Sequence, residues 1–427
     1  MTTQGDFAAL RNRFPALSRT QDGRPVVFAD APGGSQVPDT VIEAVAGHYR
    51  NGISNADGVF AASEEIEALV LAARRAGADL VGARPEQIVF GANTTTLLMN
   101  LSRSLANVLT PDDIVVVTRL DHDANIRPWV VAARDAGATV CWVDIDTDDA
   151  TVDLESFDAA LALHPRFVAL TLASNGVGTV TPAAELVARA KASGALVAVD
   201  GVHLAQHRAI DFEGLGADLL CVSPYKIFGP HMGMVAARAD VLDGWDPYRV
   251  RPAESYASPE RWETGTQNHE GLAGFIAAVD YLAGIGMALG SPDGPDRRAA
   301  VVAGFEAIRD HERMLASRFL DGITSIEAVR LYGIPGTDRL DERTPTFAVR
   351  LGDQDPRETS KALAAQGIFT WDGHYYAMEL FERLGLLDTG GAVRIGFCHY
   401  HTPAEVDRVV GALAELDGSQ AGRALRR

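Results

Sequence analysis

Lysine is nearly absent from this 427-residue chain: there are three, Lys191, Lys226 and Lys361, so arginine carries almost all of the positive charge. Positive charge is itself in short supply, with 38 basic against 57 acidic residues and a formal net charge of -19. That balance repels polyphosphate backbones and anionic lipid, which excludes nucleic acid and membrane surfaces as partners. Cysteine is scarce and odd in number: Cys141, Cys221 and Cys398 lie in the apolar runs "TVCWVDI", "DLLCVS" and "RIGFCHY". They read as reduced core residues of a cytoplasmic protein rather than a disulfide framework. The start, "MTTQGDFAALRNRFPALSR", lacks the apolar segment of an export signal, and no apolar run is expected to reach membrane-spanning length. No G-x-G-x-x-G follows a strand and no G-x-x-x-x-G-K-[ST] occurs, so dinucleotide and P-loop readings fail. Repeats and low-complexity tracts are also missing.

What remains is a composition 47% hydrophobic and 22% charged, enough for a large cored domain and a smaller one. From about residue 88 to 240, short apolar strands ("EQIVF", "DIVVVT", "TVCWVDI", "RFVALTLAS", "LVAVD", "DLLCVS") alternate with helical patterns. Such alternation predicts an α/β fold with a mostly parallel sheet wrapped by helices. The stretch "RVRPAESYASPERWETGTQNHEG" is too long for an ordinary connection and reads as an active-site or interface loop. "GMALGSPDGPDRR" marks a domain junction, which predicts a large domain over 20–290 and a small α+β domain from 1–19 with 291–427.

In open α/β sheets the ligand sits beyond the carboxyl ends of the strands. Standing there are Asn93, Thr94 and Thr95; His122; Asn175; Asp200 and His203; and Ser223, Tyr225 and Lys226. Lys191 and Lys361 belong to amphipathic helical patterns, whereas Lys226 follows an apolar strand among Tyr225, Ile227 and Phe228. A desolvated lysine can form a Schiff base and an arginine cannot. The cluster suits a cofactor with a phosphate, an aldehyde and a pyridine ring, that is, pyridoxal 5′-phosphate. "GANTTT" offers hydroxyls and free N–H groups at a helix start for the phosphate. Asp200 can pair with a pyridinium nitrogen, His122 can stack, and Asn175 and His203 can hydrogen-bond a phenolic oxygen. Each has a plainer alternative: a helix cap for Asp200 or the threonines, and charge balance within "DHDAN" for His122. A metal site at His203 and His207, or at His399 and His401, is a further alternative, although the first pair lacks the glutamate of a zinc-protease motif.

The ordered motifs "FADAPGGSQVP", "GANTTT", "DHDANIRPW", "SNGVGT", "VDGVH", "SPYKIFGP", "WETGTQ" and "VRIGF" resemble the class V aminotransferase group of fold-type I pyridoxal phosphate enzymes, in particular the cysteine desulfurases. The resemblance implies a mostly parallel seven-stranded sheet and a homodimer with its active sites at the interface. It makes Lys226 the Schiff-base lysine, Asp200 the ring-nitrogen partner and His122 the stacking ring. Thr94, Thr95, Ser223 and Tyr225 would hold the phosphate, Thr266 would reach the phosphate of a neighbouring subunit, and Arg394 would bind the substrate α-carboxylate. Departures matter as much. Tyr376 in "GIFTWDGHYYAMELF" stands where a desulfurase has its nucleophilic cysteine, and Trp371 where an arginine is typical. His203 replaces a common glutamine and Tyr225 a common histidine.

Without that cysteine no persulfide forms, but β-elimination needs no protein nucleophile. The chain is similar to the desulfurase-like subgroup lacking the cysteine, which includes enzymes of lincosamide antibiotic pathways. This resemblance implies a C–S β-lyase on an S-substituted cysteine, with decarboxylation-coupled oxidative deamination to an aldehyde as the alternative. Transaminase, racemase and non-catalytic scaffold roles stand behind these. Trp371, His374, Tyr375 and Tyr376 are expected to wall the side-chain pocket. Aromatic walls suit an apolar substituent.

Overall fold

The structure is a computed structural model that describes residues 4–424. A seven-stranded sheet is built from β1 (Ile88–Gly91), β2 (Ile114–Thr118), β3 (Thr139–Val143), β4 (Phe167–Thr171), β5 (Leu196–Asp200), β6 (Leu219–Val222) and β7 (Gly233–Ala237). Their spatial order is β1-β7-β6-β5-β4-β2-β3, and β7 alone runs antiparallel to its neighbours. The mostly parallel sheet expected from the alternating pattern is therefore present. The reason is visible in the side chains: Val116, Leu170 and Val199 face one apolar cluster, while Val115, Ala169 and Ala198 face another. A strand buried on both faces reads as a continuous apolar run, as these do. Helices Thr94–Ala106 and Arg127–Ala136 cover one face through Leu97, Leu101 and Trp129. Helices Ala61–Val81, Ala183–Ala192 and His269–Leu289 cover the other through Ala76, Leu186 and Phe275.

A second, antiparallel sheet has the order β8-β9-β11-β10, from β8 (Val329–Tyr332), β9 (Thr346–Leu351), β10 (Trp371–Gly373) and β11 (Ala392–Gly396). Phe347 and Ile395 of this sheet pack on Phe319 of Arg297–Thr324 and on Val406 and Leu413 of Pro403–Ala424. The 28-residue helix Arg297–Thr324 joins the core of the large sheet to that of the small one, since Val301, Phe305 and Ile308 lie in the former and Leu315, Phe319 and Ile323 in the latter. It packs on His269–Leu289 so tightly that a Cβ on Gly304 would meet the Leu282 carbonyl oxygen at 2.4 Å.

One expectation needs correction. His269–Leu289 is 21 residues long and contains an 18-residue stretch of mean hydropathy 1.8, long and apolar enough to cross a membrane. Here it packs against Asp39–Arg50, Ala61–Val81 and Arg297–Thr324. A helix hemmed in by neighbours has little need of a polar face.

Candidate active site

The residues that follow β1, β2, β4, β5 and β6 come together: Thr94 meets Ser223, Lys226 feels Asp200 and acts on His122, and Arg394 of the second sheet reaches Asn175. Beyond β1, Asn93 caps the helix Thr94–Ala106, its Oδ1 accepting from the Thr96 amide at 2.8 Å. The Thr94 hydroxyl lies 2.6 Å from the Ser223 hydroxyl and donates to the Val222 carbonyl at 2.8 Å, which ties the loop after β1 to the loop after β6. Gly233 of β7 makes this possible: a Cβ there would sit 2.3 Å from the Asn93 carbonyl carbon and 2.4 Å from the Thr94 nitrogen. Thr95 is exposed in the first helical turn, where free N–H groups and the helix dipole favour an anion.

Lys226 ends the short turn Pro224–Lys226 and is 5% exposed. Among the described residues it forms no ion pair; its Nζ lies 5.9 Å from the Tyr225 ring centre. Burial, then the charge of Arg394, brings its amine down to about 8 against the pull of Asp200. Asp200, at the end of β5, is pushed up by burial, and Lys226 opposes the shift. Its Oδ1 accepts from the Val202 amide at 2.8 Å, so it does serve a local turn, yet no arginine or lysine pairs with it among the described residues. The Tyr225 ring stacks on His231 at 4.8 Å and 7°.

His122, after β2, accepts from the Ala124 amide through Nδ1 at 3.0 Å. Burial, then Lys226 and Arg394, lowers it to about 3, so the ring is neutral and suited to stacking. No aspartate pairs with it among the described residues, which removes the charge-balance alternative. Asn175, after β4, donates through Nδ2 to the Tyr375 carbonyl at 2.9 Å, and its Oδ1 is buried without a partner. His203 is likewise buried, with Nδ1 unpartnered.

Arg394 comes from β11 and is 4% exposed. It donates to the Asn175 carbonyl at 2.9 Å, its Nε is unpartnered, and burial lowers it to about 10. Trp371 is its cross-strand partner and leans over Gly33, where a Cβ would meet the indole Nε1 at 2.5 Å. Tyr375 and Tyr376 have φ of +52° and +59°, so two consecutive bulky residues occupy the left-handed region. Their side chains consequently diverge. Tyr375 lies under Arg394 and donates to the Ala392 carbonyl, while Tyr376 is 67% exposed and stacks on His122 at 5.6 Å and 25°. His374 stands edge-on to Tyr376 with ring centres 6.4 Å apart. Thr266 lies on an exposed bend just before His269–Leu289.

The histidines of the metal alternative are engaged elsewhere. His207 Nδ1 lies 2.8 Å from Glu312, His399 Nε2 is 2.7 Å from the Tyr281 hydroxyl, and His401 Nε2 is 3.1 Å from the Phe28 carbonyl oxygen. Sequence reasoning missed Asp30, whose carboxyl burial raises to about 6 beside Arg394, and His231 beneath Tyr225. "FADAPGG" and "GPHMG" carried both inside motifs already singled out. It also missed Thr344 and Thr346, for which no local signal exists.

A phosphate end, a carboxylate at ring depth, a buried amine and unpartnered Asn175 and His203 atoms form a set that fits pyridoxal phosphate. Comparison with known proteins agrees with that chemistry. The class V aminotransferase family model matches residues 27–290 and 299–409, and the chain belongs to that family. It is therefore a pyridoxal 5′-phosphate-dependent enzyme of the cysteine desulfurase-like kind. A cysteine desulfurase of Enterobacter sp. (strain 638) is 30% identical over 422 residues, covering 95% of this chain and 97% of the relative. A probable cysteine desulfurase of Streptomyces coelicolor is 30% identical over 430 residues, covering 96% and 97%. Among solved structures, the cysteine desulfurase of Thermococcus onnurineus NA1 superimposes with a TM-score of 0.85 at 24% identity, covering 96% of this chain and 98% of that one. The cysteine desulfurase CsdA of Escherichia coli gives 0.81 at 24% identity, with the same coverage.

Proposed function

We propose that this enzyme is a C–S β-lyase that cleaves S-substituted cysteines to a thiol, pyruvate and ammonia with uptake of one water. The observation that carries this reading is the identity of the residue at the mouth: Tyr376, not a thiol, faces His122. The three cysteines cannot take its place, since Cys221 is buried in β6, Cys398 is buried past β11, and Cys141 lies in β3. Burial raises all three thiols, those of Cys221 and Cys398 strongly. A raised thiol pKa removes the thiolate that persulfide chemistry requires.

Pyridoxal phosphate, when bound, supplies an electron sink for the bond broken at the amino acid α-carbon. Lys226 would hold it and would take the α-proton; an amine near pKa 8 suits that task at neutral pH. Asp200 would keep a proton on the ring nitrogen, and His122 would stack on the ring. Thr94, Thr95, Ser223 and Tyr225 would hold the phosphate end, with Thr266 contributed across the interface of a homodimer. Arg394 binds the α-carboxylate, which its lack of a carboxylate partner among the described residues favours. Trp371, His374 and Tyr376 frame the sulfur substituent, so apolar groups are preferred. Incubation with S-benzyl- and S-methylcysteine is expected to release thiol and pyruvate in equal amounts. Carbon dioxide with an aldehyde instead would replace this reading with decarboxylative oxidative deamination.

A further inference from the structure

His203 follows β5, whereas the two hydroxyls that touch its ring come from the first residue of β9 and from the segment that leads into it. Thr344 and Thr346 each place Oγ1 3.1 Å from His203 Nε2. All three side chains are 2% exposed or less. The two hydroxyls are not equivalent. Thr344 already donates its hydrogen to the Gly178 carbonyl at 3.3 Å. Thr346 has no other hydrogen-bond partner for its hydroxyl among the described residues. In the protein alone either tautomer leaves one buried donor unmet: the Thr346 hydroxyl if Nε2 carries the proton, Nδ1–H if Nδ1 does. An acceptor placed against Nδ1 decides between them, because Thr346 then donates to Nε2 and every donor of the set is met. Nδ1 is the buried atom without a partner. Gly178, with φ +82°, allows the approach, because a Cβ there would stand 2.5 Å from the Thr346 carbonyl oxygen.

We propose that Thr346 is a positioning residue that fixes His203 as the Nδ1–H tautomer, and that this N–H is the donor awaiting the phenolic oxygen of pyridoxal phosphate. The second half rests on the site reading above. The charged or titratable groups facing His203 are His207, Lys226 and Arg394; together with burial they keep the imidazole neutral. A neutral ring has one proton, so the tautomer decides between a donor and a lone pair toward an anionic oxygen. A donor lowers the basicity of that oxygen, and with it the pKa at which the bound chromophore changes protonation state.

The test uses the full-length chain loaded with pyridoxal phosphate and selectively 15N-labelled at histidine, the His203 signals being assigned by their loss in His203→Gln. Wild type is expected to show His203 protonated at Nδ1. Thr346→Val should shift the proton to Nε2, which then donates to Thr344, and should raise the chromophore pKa by on the order of one unit. Thr346→Ser should restore both readouts. Thr344→Val should leave the tautomer unchanged, because its hydroxyl hydrogen is committed to Gly178. An Nε2–H wild-type ring, or a Thr344→Val ring that flips as readily as Thr346→Val, overturns the role of Thr346. A tautomer shift with an unmoved chromophore pKa leaves Thr346 in its role and overturns the contact with the phenolic oxygen. A chain that traps its chromophore somewhere other than Lys226 sinks the site reading separately, without touching the tautomer result.

Discussion

The Arg394 guanidinium lies 4.4 Å above the ring of Tyr375, and among the described residues no carboxylate pairs with it. An aromatic face attracts a cation without satisfying its N–H donors, so Arg394 is held in place with hydrogen-bonding capacity left over. Its cross-strand neighbour is Trp371, and its remaining contact is the hydrogen bond it donates to the Asn175 carbonyl.

Replacing Arg394 by lysine keeps the charge and loses the planar fork. The expected outcome is a fall in kcat/KM of roughly 10- to 100-fold, carried mainly by KM, since charge-assisted hydrogen bonds contribute about 1.5–3 kcal/mol. Steady-state kinetics on an S-substituted cysteine, compared with its decarboxylated amine, would check it; equal losses on both substrates would contradict a carboxylate role.

Lys226 should govern how the cofactor is taken up. Only the neutral amine attacks an aldehyde, and burial with the Arg394 charge sets the amine near 8. Below that pH the lysine is charged, so the attachment rate should climb about tenfold per pH unit and level off above about 8. Stopped-flow absorbance of cofactor-free protein would follow it, and Lys226→Ala should give no borohydride-stable adduct at all.

Gly233→Ala tests the phosphate end. With Asn93 and Thr94 backbone atoms 2.3 and 2.4 Å from the new methyl group, the start of the helix Thr94–Ala106 must move. Overpacking of this kind costs about 1–3 kcal/mol. Thermal unfolding should report a lower Tm, and cofactor affinity should drop more than in a control substitution at Gly411, a helical position where a Cβ meets nothing within 4 Å.

Tyr376→Ala removes the ring stacked on His122. Loss of an aromatic contact worth about 0.5–1.5 kcal/mol should cut the preference for S-benzyl- over S-methylcysteine by roughly 2- to 12-fold. Unchanged discrimination would place the side-chain pocket elsewhere.

The site was legible from sequence wherever a strand end carried it. Thr94, His122, Asn175, Asp200, Ser223 and Lys226 each follow an apolar run within a few residues, so the parallel sheet alone brings them together. Arg394 was reached through a motif rather than a pattern. Thr346 lies 143 residues from the ring it touches, and only the docking of the second sheet makes them neighbours. Seven strands were expected, but β7 was hidden in "GPHMGMVAAR", where the lysine turn runs straight into it. The helices His269–Leu289 and Arg297–Thr324 were blurred for a related reason: apolar residues lie on several sides of each, which erases the one-sided periodicity that marks a surface helix.

The left-handed pair at Tyr375 and Tyr376 gives the mouth of the site an unusual economy of parts. One short bend sends neighbouring rings in opposite directions, the first toward the group that would grip the acid end of an amino acid, the second toward the space its substituent would fill. Relaxing the bend, for instance with glycine at either position, would disturb both ends together. Retuning the pocket toward a new substituent is therefore easier from His374, whose ring meets Tyr376 and not Arg394.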